Sequence, residues 1–349
     1  MNELQRRNYQ SPDSAMEWTP PAARLNFPTL VAKEWVRAWT ACGAFEWIAL
    51  GYLALSCVLI ALFAENLAHP AGLIGAQVLT AAVLLMLCRM GTKSVELAGQ
   101  TGRTFSSKFW HFCRHWYPHL FFLFCFEEMG RLMHLVNPGW EDAKLIAFDR
   151  WITGVNPSLW LERFSHPALN EFMQFAYFTY FIYLLILGGV LYCQRDFKAY
   201  WAVMTYSAAG YVFGYVIAML FPVQSPWFTL AGQWHSELTG GPFTALINFI
   251  EKCGRVHGAA FPSQHVAGAM AALWGAWRHR RWLFWTFLPF VVCMCVSTVY
   301  VRNHYVADVL GGLVTGTLGY IAGGWVMKMR GSLPNRNHRA ENPAMKDSF

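Results

Sequence analysis

Apolar runs alternate with short polar stretches along the chain, near 45–65, 70–90, 116–136, 171–193, 199–221, 264–279, 283–301 and 305–328. Most approach the roughly 20 helical residues needed to cross a hydrocarbon core. The third is interrupted by Glu127, Glu128 and Arg131, and the sixth is short. The pattern predicts an all-α fold, a polytopic membrane helix bundle with about eight transmembrane helices. Residues 1–44 are polar and carry Pro20, Pro21 and Pro28, with no compact apolar run leading to a small-residue cleavage site. They are expected to form a cytoplasmic segment rather than a removable signal peptide.

Composition agrees with this reading. Hydrophobic residues make up 55% of the 349 and charged residues 13%, against about 25% charge in a soluble chain. Charge also sets direction. With both termini on one side, that side collects 20 of the 27 Lys and Arg, so the positive-inside rule places both termini in the cytoplasm. The net charge of +7 is then mostly headgroup contact and implies no nucleic-acid partner. The nine cysteines are scattered, mostly inside apolar runs, and contain no CxxC pair. Neither a disulfide framework nor structural zinc is expected, and no cofactor is implied.

This orientation sends two polar clusters to the non-cytoplasmic face, periplasmic or extracellular for an inner or plasma membrane. One is Pro262-Ser263-Gln264-His265 and the other is Arg302-Asn303-His304, with Asp308 four residues on. At i, i+4 on a helix, His304 and Asp308 share a face. A carboxylate holding one ring nitrogen fixes the tautomer and leaves the other free to attack. Ser263 reads as a helix start, whose N–H groups suit an anion, and His265 beside it is placed to protonate a departing oxygen. Arg302 is the nearest cation for phosphate oxygens.

These residues resemble the second and third signatures of the type-2 phosphatidic acid phosphatase superfamily, PSGH and SRxxxxxHxxxD. Here they read Pro262-Ser263-Gln264-His265, and Ser297, His304 and Asp308 at the family spacing. The resemblance implies a six-helix core over 116–328, after two extra helices and a linker in 45–115 and before a cytoplasmic tail in 329–349. It also implies a metal-independent phosphohistidine mechanism, with His304 as nucleophile, His265 as acid and base, and Asp308 as orienter. Ser263, Gln264, Ser297 and Arg302 then fall in the phosphate-binding set. Gln264 replaces the family glycine, and Thr298 stands where the family has arginine, with Arg302 as its relocated substitute. The first signature, KxxxxxxRP, has no counterpart. Instead Phe221 to Trp227 and Asp149-Arg150-Trp151 are similar to the branch of inositol phosphorylceramide synthases. Lys252, Arg255 and His257 are further cation candidates, and Glu128 and Trp227 are candidates for substrate contact.

The expected substrate is a lipid phosphate, with membrane lipids as the surrounding partners. Water as acceptor gives a phosphatase, and an alcohol gives a phosphotransferase with the same triad. A transporter is the third reading, but no repeat symmetry supports it. His111, His115 and His119, spaced i, i+4, i+8, read as a stripe facing headgroups rather than a metal site. Glu127 and Arg131 read as an intrahelical pair. The glycines between Gly311 and Gly324 read as a close-packing face.

Overall fold

The structure is a computed structural model that describes residues 36–101, 104–254 and 256–332. Arg255, most of the 1–44 segment and the tail beyond 332 lie outside the described residues. The order is α1 (Ala44–Leu62), α2 (Pro70–Thr101), α3 (Phe105–Leu132), α4 (Asp142–Thr153), α5 (Pro157–Leu161), α6 (Pro167–Phe178) and α7 (Tyr180–Cys193). It continues with α8 (Phe197–Leu220), α9 (Pro226–Thr229), α10 (Pro242–Gly254), α11 (Gln264–His279), α12 (Arg281–Tyr300) and α13 (Val306–Ser332). Five of these begin on proline, whose fixed φ and missing N–H suit the first helical position. Side chains cap others: Thr104 accepts from Ser107 N, Asp196 from Ala199 N and Ser263 from Val266 N.

Each of the eight apolar runs is helical. Five helices, α1, α2, α8, α12 and α13, are long and apolar enough to cross a membrane. The run at 171–193 is a bent pair, α6 and α7, meeting at 40° at Thr179, and would be a sixth. The two others fall short for different reasons. α11 has 16 residues, and α3 carries Lys108, Arg114 and Arg131 as well as histidines and carboxylates among its apolar residues.

α8 is the axis of the bundle: 72% of its apolar window is enclosed, against 17% for α2 at the periphery. It packs on α11 and α13, and these three form the centre. Contact there is backbone to backbone. A Cβ added at Gly312 would meet the Ser263 carbonyl oxygen at 2.6 Å, and one at Gly316 the Ala267 oxygen at 2.6 Å. Only glycine allows that approach. The packing aligns the first turns of α11 and α13, which carry His265 and Asp308.

Candidate active site

The turn between α12 and α13 places His304. Its backbone N–H donates to the Thr298 oxygen at 3.0 Å. The following helix start is capped from a distance: Asp149 on α4 accepts from Val306 N and Ala307 N, both at 2.9 Å. These are N–H groups that a helix cannot satisfy internally. Asp308, fully buried in the first turn of α13, reaches back to accept from Tyr305 N at 2.7 Å and from His304 Nδ1 at 3.2 Å. Asp142 supports the same turn by accepting from the Tyr305 hydroxyl at 3.1 Å and from Thr229 Oγ1 at 2.7 Å.

His304 Nδ1 faces only acceptors, the Asp308 carboxylate and the Ala260 carbonyl oxygen at 3.1 Å. It therefore carries the proton, and Nε2 carries the lone pair. Burial pushes the His304 pKa well below the usual histidine range, and the neighbouring His265 adds to this. The ring is held neutral, in the form a nucleophile needs.

His265 sits in the first turn of α11, with Nδ1 3.1 Å from His304 Nε2 and Nε2 2.8 Å from the Tyr177 hydroxyl. Tyr180 packs against its ring at 4.5 Å. Ser263 N donates to the Asp308 carbonyl oxygen at 3.0 Å, tying the two helix starts together. Both histidines open onto a cavity of about 490 Å³. Its far wall is apolar and aromatic, from Phe122, Tyr211 and Tyr215 to Leu184, and it runs to His119 midway along α3. None of its described lining residues is Lys or Arg.

The structure thus brings together His304, His265 and Asp308, with Gln264 on the cavity wall and Ser263 behind it as the cap of α11. Neither amide atom of Gln264 has a hydrogen-bond partner among the described residues.

The other expected residues are elsewhere. Arg302 adopts φ 68° and buries its side chain away from the cavity lining. Its guanidinium lies 3.3 Å from Glu162, donates to the Ser236 carbonyl oxygen at 2.7 Å and stacks on Trp234. It pins an outer loop and does not line the cavity. Ser297 donates to the Met294 oxygen of its own helix at 2.8 Å. Glu128 faces α2, where Gln77 Nε2 donates to it at 2.6 Å, while Glu127, about 100° around the helix, lines the cavity instead. Lys252 is exposed on α10, and the exposed Trp227 is joined through its backbone N–H to the Arg302 oxygen. The His257 ring packs between Trp140 and Phe228.

The histidine stripe also turns inward rather than toward headgroups. His115 is buried against Tyr200 and Trp201, and His119 reaches the cavity. Among the described residues no group of three His, Cys, Asp or Glu is spaced to hold a metal ion.

Sequence reading missed Tyr177, Asp142 and the capping role of Asp149. Asp149 had a signal in Asp149-Arg150-Trp151. Tyr177 had none, because a tyrosine in an apolar run reads as an interfacial residue.

No curated protein matches the chain, nor does any solved structure. A family model described as the PAP2 superfamily matches residues 143–322, from the helix that carries Asp149 to the one that carries Asp308. With a match over more than half of its 349 residues, enclosing both histidine motifs, the chain belongs to the PAP2 superfamily of phosphatases and related phosphoesterases.

Proposed function

We propose that the protein is an integral-membrane lipid phosphate phosphatase acting at the non-cytoplasmic face through a phosphohistidine on His304. One observation carries this: the unprotonated Nε2 of a neutral, carboxylate-held histidine meets a second histidine at 3.1 Å inside an apolar cavity. His304 Nε2 attacks phosphorus, and Asp308 stabilises the charge that develops on the ring. His265 protonates the leaving oxygen and then activates water. The first turn of α11 directs the positive end of its dipole toward the phosphate. The aromatic walls suit a hydrocarbon tail. The distribution of Lys and Arg supports cytoplasmic termini and an outward-facing site.

The test is phosphate release by the purified protein in detergent from a panel of lipid mono- and diphosphates, beside His304→Ala. Release that vanishes in the variant, with an acid-labile phosphoryl group trapped on the wild type, is expected. Release unchanged in the variant overturns the mechanism.

A second reading is transfer to an alcohol. The segments similar to inositol phosphorylceramide synthases surround the catalytic turn. Gln224 N donates to Asp142 at 3.1 Å, and Asp149 caps the catalytic helix. A new phospholipid formed only when an acceptor alcohol is supplied would select this reading over hydrolysis.

A further inference from the structure

The ring orientation of His265 is set by a residue on a different helix. Tyr177, 5% exposed on α6, places its hydroxyl 2.8 Å from His265 Nε2, and the two rings lie 4.9 Å apart. The proton positions follow from the far end of the chain. The Ala260 carbonyl oxygen only accepts, so His304 Nδ1 donates to it and His304 Nε2 accepts. His265 Nδ1 must then donate to His304 Nε2 across 3.1 Å. In a neutral His265 that leaves Nε2 as an acceptor, and the Tyr177 O–H donates to it. The proton on His265 Nδ1 therefore already points at the nucleophile, where the substrate phosphorus must sit.

We propose that Tyr177 is the positioning residue of the general acid. It makes Nδ1 the nitrogen of His265 that exchanges protons with the reacting oxygens. A hydroxyl is suited to this because it accepts as readily as it donates. This inference rests on the phosphohistidine reading.

With His265 carrying a second proton, taken from water, on Nε2, the Tyr177 oxygen becomes the acceptor, and a phosphate ester dianion parts the two rings. Attack forms the bond between His304 Nε2 and phosphorus and breaks the P–O bond. The electron pair stays on the leaving oxygen, which takes the proton from His265 Nδ1. His265 is left neutral, with Nε2–H donating to Tyr177. In hydrolysis Nδ1 takes a proton from water, whose oxygen bonds to phosphorus as the P–N bond breaks.

The test compares wild type and Tyr177→Phe in single turnovers with two substrates. One is a lipid phosphate with an alkoxide leaving group, and the other is p-nitrophenyl phosphate, whose leaving group needs no proton. The expected loss is about 10- to 100-fold with the lipid phosphate, the usual cost of removing an orienting partner. It should be less than about threefold with the nitrophenyl ester. The basic limb of the lipid phosphate rate profile should also move to lower pH, because the protonated His265 loses its acceptor. Equal losses with both substrates, or no loss, would overturn the proposal.

A readout independent of turnover separates this from failure of the functional reading. In histidine-labelled protein, the His265 Nε2 nitrogen resonance should move toward that of an unbonded imidazole in Tyr177→Phe. An unmoved resonance means that the hydroxyl does not hold the ring. A wild type inactive on every phosphate, with the resonance moving as expected, would instead place the error in the proposed function.

Discussion

Two buried carboxylates, Glu46 and Asp308, are enclosed equally and equipped differently. Glu46 on α1 accepts from its own cap at Gly43 N (2.6 Å), pairs with Arg114 at 2.7 Å and accepts from the Tyr117 hydroxyl, while Arg114 stacks on Trp201. Its donors close around it, and none of them lines the cavity that holds the two histidines. Asp308 has donors on one oxygen only, and Oδ1 has no partner among the described residues. What it holds is a histidine whose other nitrogen meets His265 at the cavity wall. Burial alone therefore does not mark a functional acid in this bundle. The mark is a hydrogen-bond chain that runs along a cavity wall instead of closing on itself.

The contrast can be broken from either side. Asp308→Asn keeps the shape but loses the charge that stabilises the imidazolium. Its kcat should fall by about 10³- to 10⁴-fold, with the melting temperature little changed. Glu46→Gln should do the reverse. Arg114 would be left buried without its counter-charge, costing about 3–5 kcal/mol of stability in denaturant titration, with kcat per folded molecule within about twofold.

Asp149→Asn touches both properties, because it loosens a cap that also places the catalytic turn. About 1–2 kcal/mol of stability is at stake, and kcat should fall by about tenfold or more.

The pH profile sharpens the comparison further. The His304 pKa is depressed in the folded protein. Below about pH 6.5 the unfolded chain takes up a proton that the native ring refuses. Stability should fall by at most about 1.4 kcal/mol per pH unit from there down to the folded pKa, and the contribution is fully present above pH 6.5. The nucleophile itself should stay neutral, so loss of activity from its protonation should begin well below 6.5. An acid limb of kcat/KM centred at 6.5 that His304 is shown to cause would contradict the burial argument.

Ser297→Ala should be the mildest change, about 0.5–1 kcal/mol in stability with no effect on kcat. A large kcat effect would return Ser297 to the phosphate site.

The helices of the apolar runs were legible because membrane crossing demands long apolar runs, and a run does not depend on its neighbours. The short helices at 142–161 and 226–254 were not. The break at Thr179 was not legible, since neither proline nor glycine stands beside it in that run. His304 and Asp308 were legible because i, i+4 spacing on a helix is local geometry. Arg302 shows where local reasoning stops. Two residues from His304 in sequence, it was the natural partner for a phosphate, yet a left-handed backbone turn hands it to Glu162, 140 positions away. Tyr177 and Asp149 had the opposite fate. Each acquires its role from a contact 88 or more positions along the chain, and no spacing rule reaches so far.

The glycine contacts of α13 have a consequence for how the active site could drift over evolutionary or engineering time. Gly312 lies where α11 and α13 rest on each other, against the Ser263 carbonyl oxygen and the Val266 side chain. A single methyl group at position 312 would act as a wedge between the rails that carry the nucleophile and the acid. Such a change touches no reacting atom, yet it would widen the step a proton must cross.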